Sequence, residues 1–274
     1  MHKTIVINNK VKISNSLPLV LIAGPCVIES EKLTLEIASQ LKKIASKLKI
    51  PLIFKASYDK ANRSSIKSYR GPGLEEGLWI LSLIKKKFNL PILTDVHCHR
   101  DIDEIAKVVD IIQIPAFLCR QTDLVVESAR TGLAVNIKKG QFLSPYDMKN
   151  IVEKVEHEKN TKIILTERGT SFGYNNLITD IRSLEIMKRT GYPVVFDATH
   201  SVQLPGGLGG STGGERQFIK PLMQAAVSVG IAGVFVEVHP NPDKALSDGK
   251  NSLSLAELPK VLDMVLKIDK LIKK

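Results

Sequence analysis

The chain has 274 residues, of which 43% are hydrophobic, enough for one (β/α)8 barrel of about 250 residues without a second domain. Mean hydropathy is +0.02 and no apolar run reaches the roughly 18 residues of a membrane span, so no membrane association is expected. The net charge of +11 comes with only 5% aromatics, most of which read as buried. A nucleic-acid surface, which interleaves basic with exposed aromatic residues, is therefore not expected.

The first sixteen residues, MHKTIVINNKVKISNS, lack the apolar core of a signal peptide. Three cysteines at unrelated spacings outline no disulfide framework, and a reduced, cytoplasmic protein is expected. Thr4–Ile7 and Lys10–Ile13 around Asn8-Asn9 predict a short β-hairpin, placed across the bottom of the barrel. Residues 1–274 read as one domain, with residues 1–18 as this capping segment.

Eight short apolar runs follow: Leu19–Ala23, Leu52–Lys55, Ile92–Thr94, Ile111–Ile114, Ala134–Ile137, Ile163–Leu165, Val194–Phe196 and Val234–Val236. Each is apolar on both faces, as strands of a buried parallel sheet are. Between them lie helix-period segments, among them Glu31–Lys47, Leu74–Phe88, Asp101–Val108, Pro145–Glu156, Arg216–Val229 and Leu255–Ile272. The pattern predicts a closed (β/α)8 TIM barrel. A doubly wound open sheet is the alternative, and no GxGxxG supports it.

Barrel enzymes carry their chemistry at the C-terminal ends of the strands, and the unusual polar residues collect there. In chain order they are Gly24-Pro25-Cys26; Lys55, Ser57 and the stretch Asp59–Ser65; Asp95-Val96-His97; Gln113 with Ala116 and Arg120; Asn136 and Lys138; Glu167 and Arg168; Asp197 and His200; and Glu237 and His239. Lys55, Lys60, Lys138 and Arg168 are costly at a buried rim unless paired with anions. They read as a bed for phosphate and carboxylate groups more than as internal salt bridges to Asp95, Glu167 and Asp197. Cys26, His200 and Glu237 end strands that neighbour one another in a closed barrel, and Asp248 follows the eighth. Together they offer donors for a divalent transition metal, although spacing alone leaves this open. His97-Cys98-His99 reads mainly as loop. The glycine-rich run Pro205–Gly214 is either a flexible surface loop or a lid.

The stretches IAGPCVIES, FKASYDKANRSSIKSYRGPGLEEGL, IIQIPAFLCRQTDL, NIKKGQF, LTERGTSFGYNNL, DATHSVQLPGG and EVHPNPDKALSDG resemble the 3-deoxy-D-manno-octulosonate 8-phosphate synthase family over essentially the whole chain. The resemblance implies a homotetrameric barrel enzyme of lipopolysaccharide precursor synthesis. Its reaction joins phosphoenolpyruvate to D-arabinose 5-phosphate. A related family of the aromatic pathway uses erythrose 4-phosphate, but carries a KPRT-type motif where this chain has KANRSS. By the same resemblance Lys60, Gln113, Ala116, Lys138 and Arg168 would hold phosphoenolpyruvate, with Lys55, Ser57 and Arg120 close by. Asn62, Arg63 and Ser64 would engage the sugar phosphate across a subunit interface, and Asp95 would lie near the sugar hydroxyls. Lys60, Lys138, Asp95 and His200 would be catalytic. Cys26, His200, Glu237 and Asp248 would bind a divalent metal (Zn2+, Fe2+, Mn2+ or Co2+), the cysteine marking the metal-dependent branch. Two other classes compete with this reading. One is a Schiff-base aldolase acting through Lys138 or Lys55; the other is a non-catalytic nucleic-acid binder suggested by charge alone.

Overall fold

The computed structural model describes residues 2–63, 65–207 and 213–273. The chain opens with an antiparallel hairpin, β1 (Ile5–Ile7) and β2 (Val11–Ile13). Asn8 and Asn9 turn it with φ of 47° and 53°, a left-handed pair that asparagine tolerates better than most residues. Alternation buries Ile5, Ile7, Val11 and Ile13 on one face. Asn15 then accepts from Val194 N at 2.9 Å and donates to Tyr192 O at 2.8 Å, so the segment rests against the N-terminal end of a later strand.

The barrel strands are β3 (Val20–Gly24), β4 (Leu52–Lys55), β5 (Ile92–Asp95), β6 (Ile111–Ile114), β7 (Ala134–Lys138), β8 (Ile163–Glu167), β11 (Val194–Asp197) and β14 (Gly233–His239). Two small antiparallel pairs lie among them, β9 (Thr170–Ser171) with β10 (Leu177–Ile178) and β12 (Gln203–Leu204) with β13 (Gly213–Gly214). A last short strand, β15 (Leu253–Ser254), extends β14. Neighbouring barrel strands pair in parallel in chain order, and β14 pairs with both β11 and β3. That closure excludes the open sheet. The helices α1 (Glu31–Leu48), α2 (Leu74–Phe88), α3 (Ile102–Ala106), α4 (Thr122–Arg130), α5 (Met148–His157), α6 (Arg182–Lys188), α7 (Ile219–Ser228) and α8 (Leu258–Ile272) alternate with the strands. α1 is capped by the Ser30 hydroxyl, which accepts from Leu33 N, and closes on a left-handed Lys49.

Most strands run one or two residues past their apolar runs. Pairings such as Lys138 with Thr166 and Asp95 with Gln113 continue the ladder through polar residues that hydrophobicity cannot detect. The segments expected at Asp101–Val108, Pro145–Glu156 and Arg216–Val229 each begin with a 3-10 turn, so α3, α5 and α7 start later. α8 starts at Leu258, with Pro259 in its first turn, where a missing N–H costs nothing.

The aromatics depart from expectation. Trp79, Phe117, Phe142, Tyr146, Phe172, Tyr174 and Phe218 are exposed, half of the fourteen in the chain. Five of these, Phe117, Phe142, Tyr146, Phe172 and Tyr174, follow the adjacent strands β6, β7 and β8. No described helix is long and apolar enough to cross a membrane.

Candidate active site

Successive side chains of a strand point to opposite faces, so alternate residues near the strand ends enter the barrel mouth. A cavity of about 390 Å3 opens there, lined by Lys55, Lys60, Asp95, Gln113, Lys138 and Arg168 together with Asn62, Arg63, Ala116, His200 and Asp248. Gly24 lets the first two strands approach closely: a Cβ there would sit 1.8 Å from Lys55 O.

The four rim cations divide in a way the sequence did not suggest. Lys55 Nζ donates to Glu237 Oε1 and to Cys26 O, each at 2.8 Å, and Lys138 Nζ donates to Asp197 Oδ2. Internal ion pairs therefore hold for these two. Asp197, two strands along from Lys138, was a partner the sequence offered; Glu237 reaches Lys55 across the β14–β3 closure, a partnership invisible in sequence. Lys60 Nζ stands farther from carboxylates, 3.9 Å from Asp95 and 4.0 Å from Glu237. Arg168 faces Gln203 Oε1 through Nη2, while its buried Nη1 has no hydrogen-bond partner among the described residues. Burial lowers the Arg168 guanidinium, opposed by Asp197 and Asp248. Burial also lowers the Lys138 ammonium, opposed by Asp197. Lys60 and Arg168 keep the most capacity for an incoming anion, and Lys138 also reaches the cavity.

A hydrogen-bond chain crosses the barrel interior. Thr166 Oγ1 donates to Asn136 Oδ1 and Asn136 Nδ2 donates to Gln113 Oε1, both at 2.7 Å. Gln113 Nε2 then donates to Asp95 Oδ1, while Ser57 Oγ donates to Asp95 Oδ2. Each amide is oriented by the next donor, so Asp95 meets two donors and is fixed as an acceptor. Burial alone would raise the Asp95 carboxyl, but Lys55 and Lys60 hold it well below the usual carboxylate range.

Beside this chain, one donor atom each from Cys26, Glu237 and Asp248 lies within 4.8 Å of the other two. Cys26 Sγ is 3.1 Å from Asp248 Oδ2. His200 Nε2 lies 3.4 Å from Glu237 Oε2 and 3.8 Å from Asp248 Oδ2. Its other nitrogen, Nδ1, meets Asp197 Oδ2 at 2.6 Å. A proton on Nδ1 directed at Asp197 leaves the Nε2 lone pair facing the cluster, the arrangement in which a histidine ligates a metal. Among the described residues the buried Glu237 Oε2 has no hydrogen-bond partner. Burial opposes ionisation of Glu237, yet His200, Lys55 and Lys60 keep it below the normal range. Burial, then Asp248 and Glu237, push the Cys26 thiol up. An orphaned carboxylate oxygen, a thiol crowded by carboxylates and a preset imidazole fit a divalent cation, whose charge would favour the thiolate.

Arg63 lines this chain's own cavity, with Nη1 on Ser247 Oγ and Nη2 on Leu246 O, both at 2.9 Å. Arg120 is exposed and off the cavity wall. Ser57 is fully buried beneath Asp95. Ser64 and the loop centre 208–212 lie outside the described residues. The sequence reading missed Gln141, Gln203 and Ser247, which line the cavity, because glutamine and serine outside the barrel strands carry no distinctive pattern. His97, read as loop, also lines it and meets Asp59 O through Nε2 at 2.9 Å. Its place after Asp95 was the available signal.

Comparison with known proteins bears on the same geometry. The DAHP synthetase I family matches residues 3–274. The chain belongs to this family. Among curated members it is similar to the 2-dehydro-3-deoxyphosphooctonate aldolase of Geobacter metallireducens, 60% identical over 273 residues and the full length of both chains. The protein of that name from Geotalea daltonii is 57% identical over the full length of both. The one from Fusobacterium nucleatum subsp. nucleatum is 57% identical over 97% of each chain.

Proposed function

We propose that this chain condenses phosphoenolpyruvate with D-arabinose 5-phosphate and water, giving 3-deoxy-D-manno-octulosonate 8-phosphate and inorganic phosphate. The observation that carries the reading is the meeting of Lys60, Lys138, Arg168 and Arg63 in one cavity, with Asp248 on its wall grouped with the buried Cys26 and Glu237. Two phosphorylated anions need such cations, and an aldehyde under attack needs an electrophilic partner. The names of the full-length relatives support the eight-carbon product.

In this reading Lys60, Lys138 and Arg168, with Gln113 and the Ala116 backbone, hold phosphoenolpyruvate so that C3 faces the aldehyde. Asn62, Arg63 and Ser64 hold the sugar phosphate. Asp95, a fixed acceptor, receives a sugar hydroxyl. The C3–C1 bond forms, water adds at C2, and the C2–O bond to phosphate breaks. Lys60 and Lys138 offset charge as it moves between the reacting groups. Lys55 acts by fixing Glu237, and Ser57 by fixing Asp95. His200, its Nδ1 on Asp197, directs Nε2 to the ligand group. A divalent transition metal (Zn2+, Fe2+, Mn2+ or Co2+) held by Cys26, His200, Glu237 and Asp248 would supply Lewis acidity at the aldehyde or a positioned, more acidic water.

The same reading takes the protein as a cytoplasmic homotetramer, one domain per chain, serving lipopolysaccharide synthesis. Residues 1–18 close the barrel bottom, supported by the Asn15 contacts to Tyr192 and Val194. The exposed Phe117, Phe142, Phe172 and Tyr174 support an interface on the rim, where the exposed Arg120 would reach a neighbouring cavity.

Phosphate release from phosphoenolpyruvate, measured with either aldose phosphate, tests the reaction. Arabinose 5-phosphate should be the better substrate; preference for erythrose 4-phosphate overturns the proposal.

A further inference from the structure

Arg63 and Cys26 belong to different parts of the proposed site, one for the sugar phosphate and one for the metal. A single residue joins them. Ser247 Oγ accepts from Arg63 Nη1 at 2.9 Å and lies 3.0 Å from Cys26 Sγ. Ser247 is 3% exposed and its contact to Cys26 Sγ is buried. Arg63 also holds Leu246 O at 2.9 Å, and Glu29 Oε1 accepts from Leu246 N at 3.0 Å. The stretch leading into Asp248 is thus clamped on two sides.

We propose that Ser247 couples the sugar-phosphate subsite to the metal site. A guanidinium donating to the hydroxyl oxygen turns the hydroxyl's own proton away from the arginine and makes it a stronger donor. The remaining partner is sulfur. That hydrogen bond holds Cys26 Sγ in place, and the Arg63 contact to Leu246 O fixes the backbone that presents Asp248. Linkage runs both ways: a ligand that draws Arg63 off Ser247 alters metal affinity, and metal alters affinity for that ligand by the same factor. Inorganic phosphate and the phosphate of arabinose 5-phosphate both have the chemistry to draw it.

This rests on the metal-dependent reading above, and the two fail differently. Co2+ titration of the metal-free full chain, followed by thiolate-to-metal charge-transfer absorption and by competition with a chelator, needs no turnover. Ser247→Ala should weaken Co2+ binding about 10- to 100-fold, the usual cost of removing a hydrogen bond to a metal ligand, and Ser247→Thr should recover most of it. Arg63→Ala should weaken it several-fold, although Arg63 is no ligand. Inorganic phosphate, which lacks the aldehyde, should shift Co2+ affinity in the wild type and leave it unchanged in Ser247→Ala. A normal charge-transfer band with unchanged affinity in both Ser247→Ala and Arg63→Ala overturns the coupling alone. Absence of the band in the wild type overturns both the coupling and the metal site.

Discussion

At the scale of single residues, the site is built from side chains whose partners come from other strands. Asp197 shows this best. It accepts from Lys138 and sets His200 through a 2.6 Å contact to Nδ1. Asp197→Asn should weaken metal affinity about 10- to 100-fold. It should also destabilise the fold by about 3–5 kcal/mol, since Lys138 is left as a buried, uncompensated charge. Chelator competition and urea unfolding would check the two effects separately; unchanged values in both would remove the assigned role. Arg63→Ala should chiefly raise KM for the sugar phosphate, by about 10- to 150-fold for a loss of roughly 1.5–3 kcal/mol. Equal rises in both Michaelis constants would contradict its assignment. Residue types at the strand ends were legible in the sequence, because a lysine or glutamate closing an apolar run is out of place. Which of them pair was not, because Lys55 and Glu237 lie 182 positions apart and meet only after closure.

Elements carry the next level of constraint. The Thr166–Asn136–Gln113–Asp95 chain spans four neighbouring strands, so its register must be kept to within one residue. Thr166→Val keeps the shape but removes the donor to Asn136 Oδ1, which should cost about 1–3 kcal/mol for the buried orphan. Thr166→Ser should restore it. Equal unfolding midpoints for wild type and Thr166→Val would show that the chain contributes nothing. Gly24→Ala should be more severe, because the new Cβ meets backbone, Lys55 O, at 1.8 Å, and neither strand can shift without opening the barrel. Loss of soluble protein is expected, and a normally folded variant would contradict the close approach. The sequence predicted the core of each element well because buried strands are apolar on both faces. It mistook their ends because ladders continue through polar residues, and it placed several helices early because 3-10 turns share the helical apolar spacing. It also misjudged the aromatics: a phenylalanine in a loop looks the same in sequence whether buried or exposed, and Phe117, Phe142 and Phe172 are exposed.

For the molecule as a whole, closure of β14 on β3 and β11 gathers cations and carboxylates around one cavity, with the Cys26 thiol buried beside Asp248 on its wall, and stability is tied to their ionisation. Despite burial, Lys55 and Lys60 hold Asp95 below its normal range. An unfolded aspartate takes up its proton near pH 3.9, before the folded one does. Asp95 therefore contributes stability above about pH 4 that is lost as pH falls, by at most about 1.4 kcal/mol per pH unit. Urea unfolding at a series of acid pH values should give a shallower decline for Asp95→Asn than for the wild type; parallel declines would contradict the assignment. The central claim is the condensation itself, tested most directly with phosphoenolpyruvate carrying 18O in its bridging position. With arabinose 5-phosphate and metal-loaded protein, mass spectrometry should find an eight-carbon keto-acid phosphate and inorganic phosphate that retains the label. Failure to form that product, or release of unlabelled phosphate, would contradict the account.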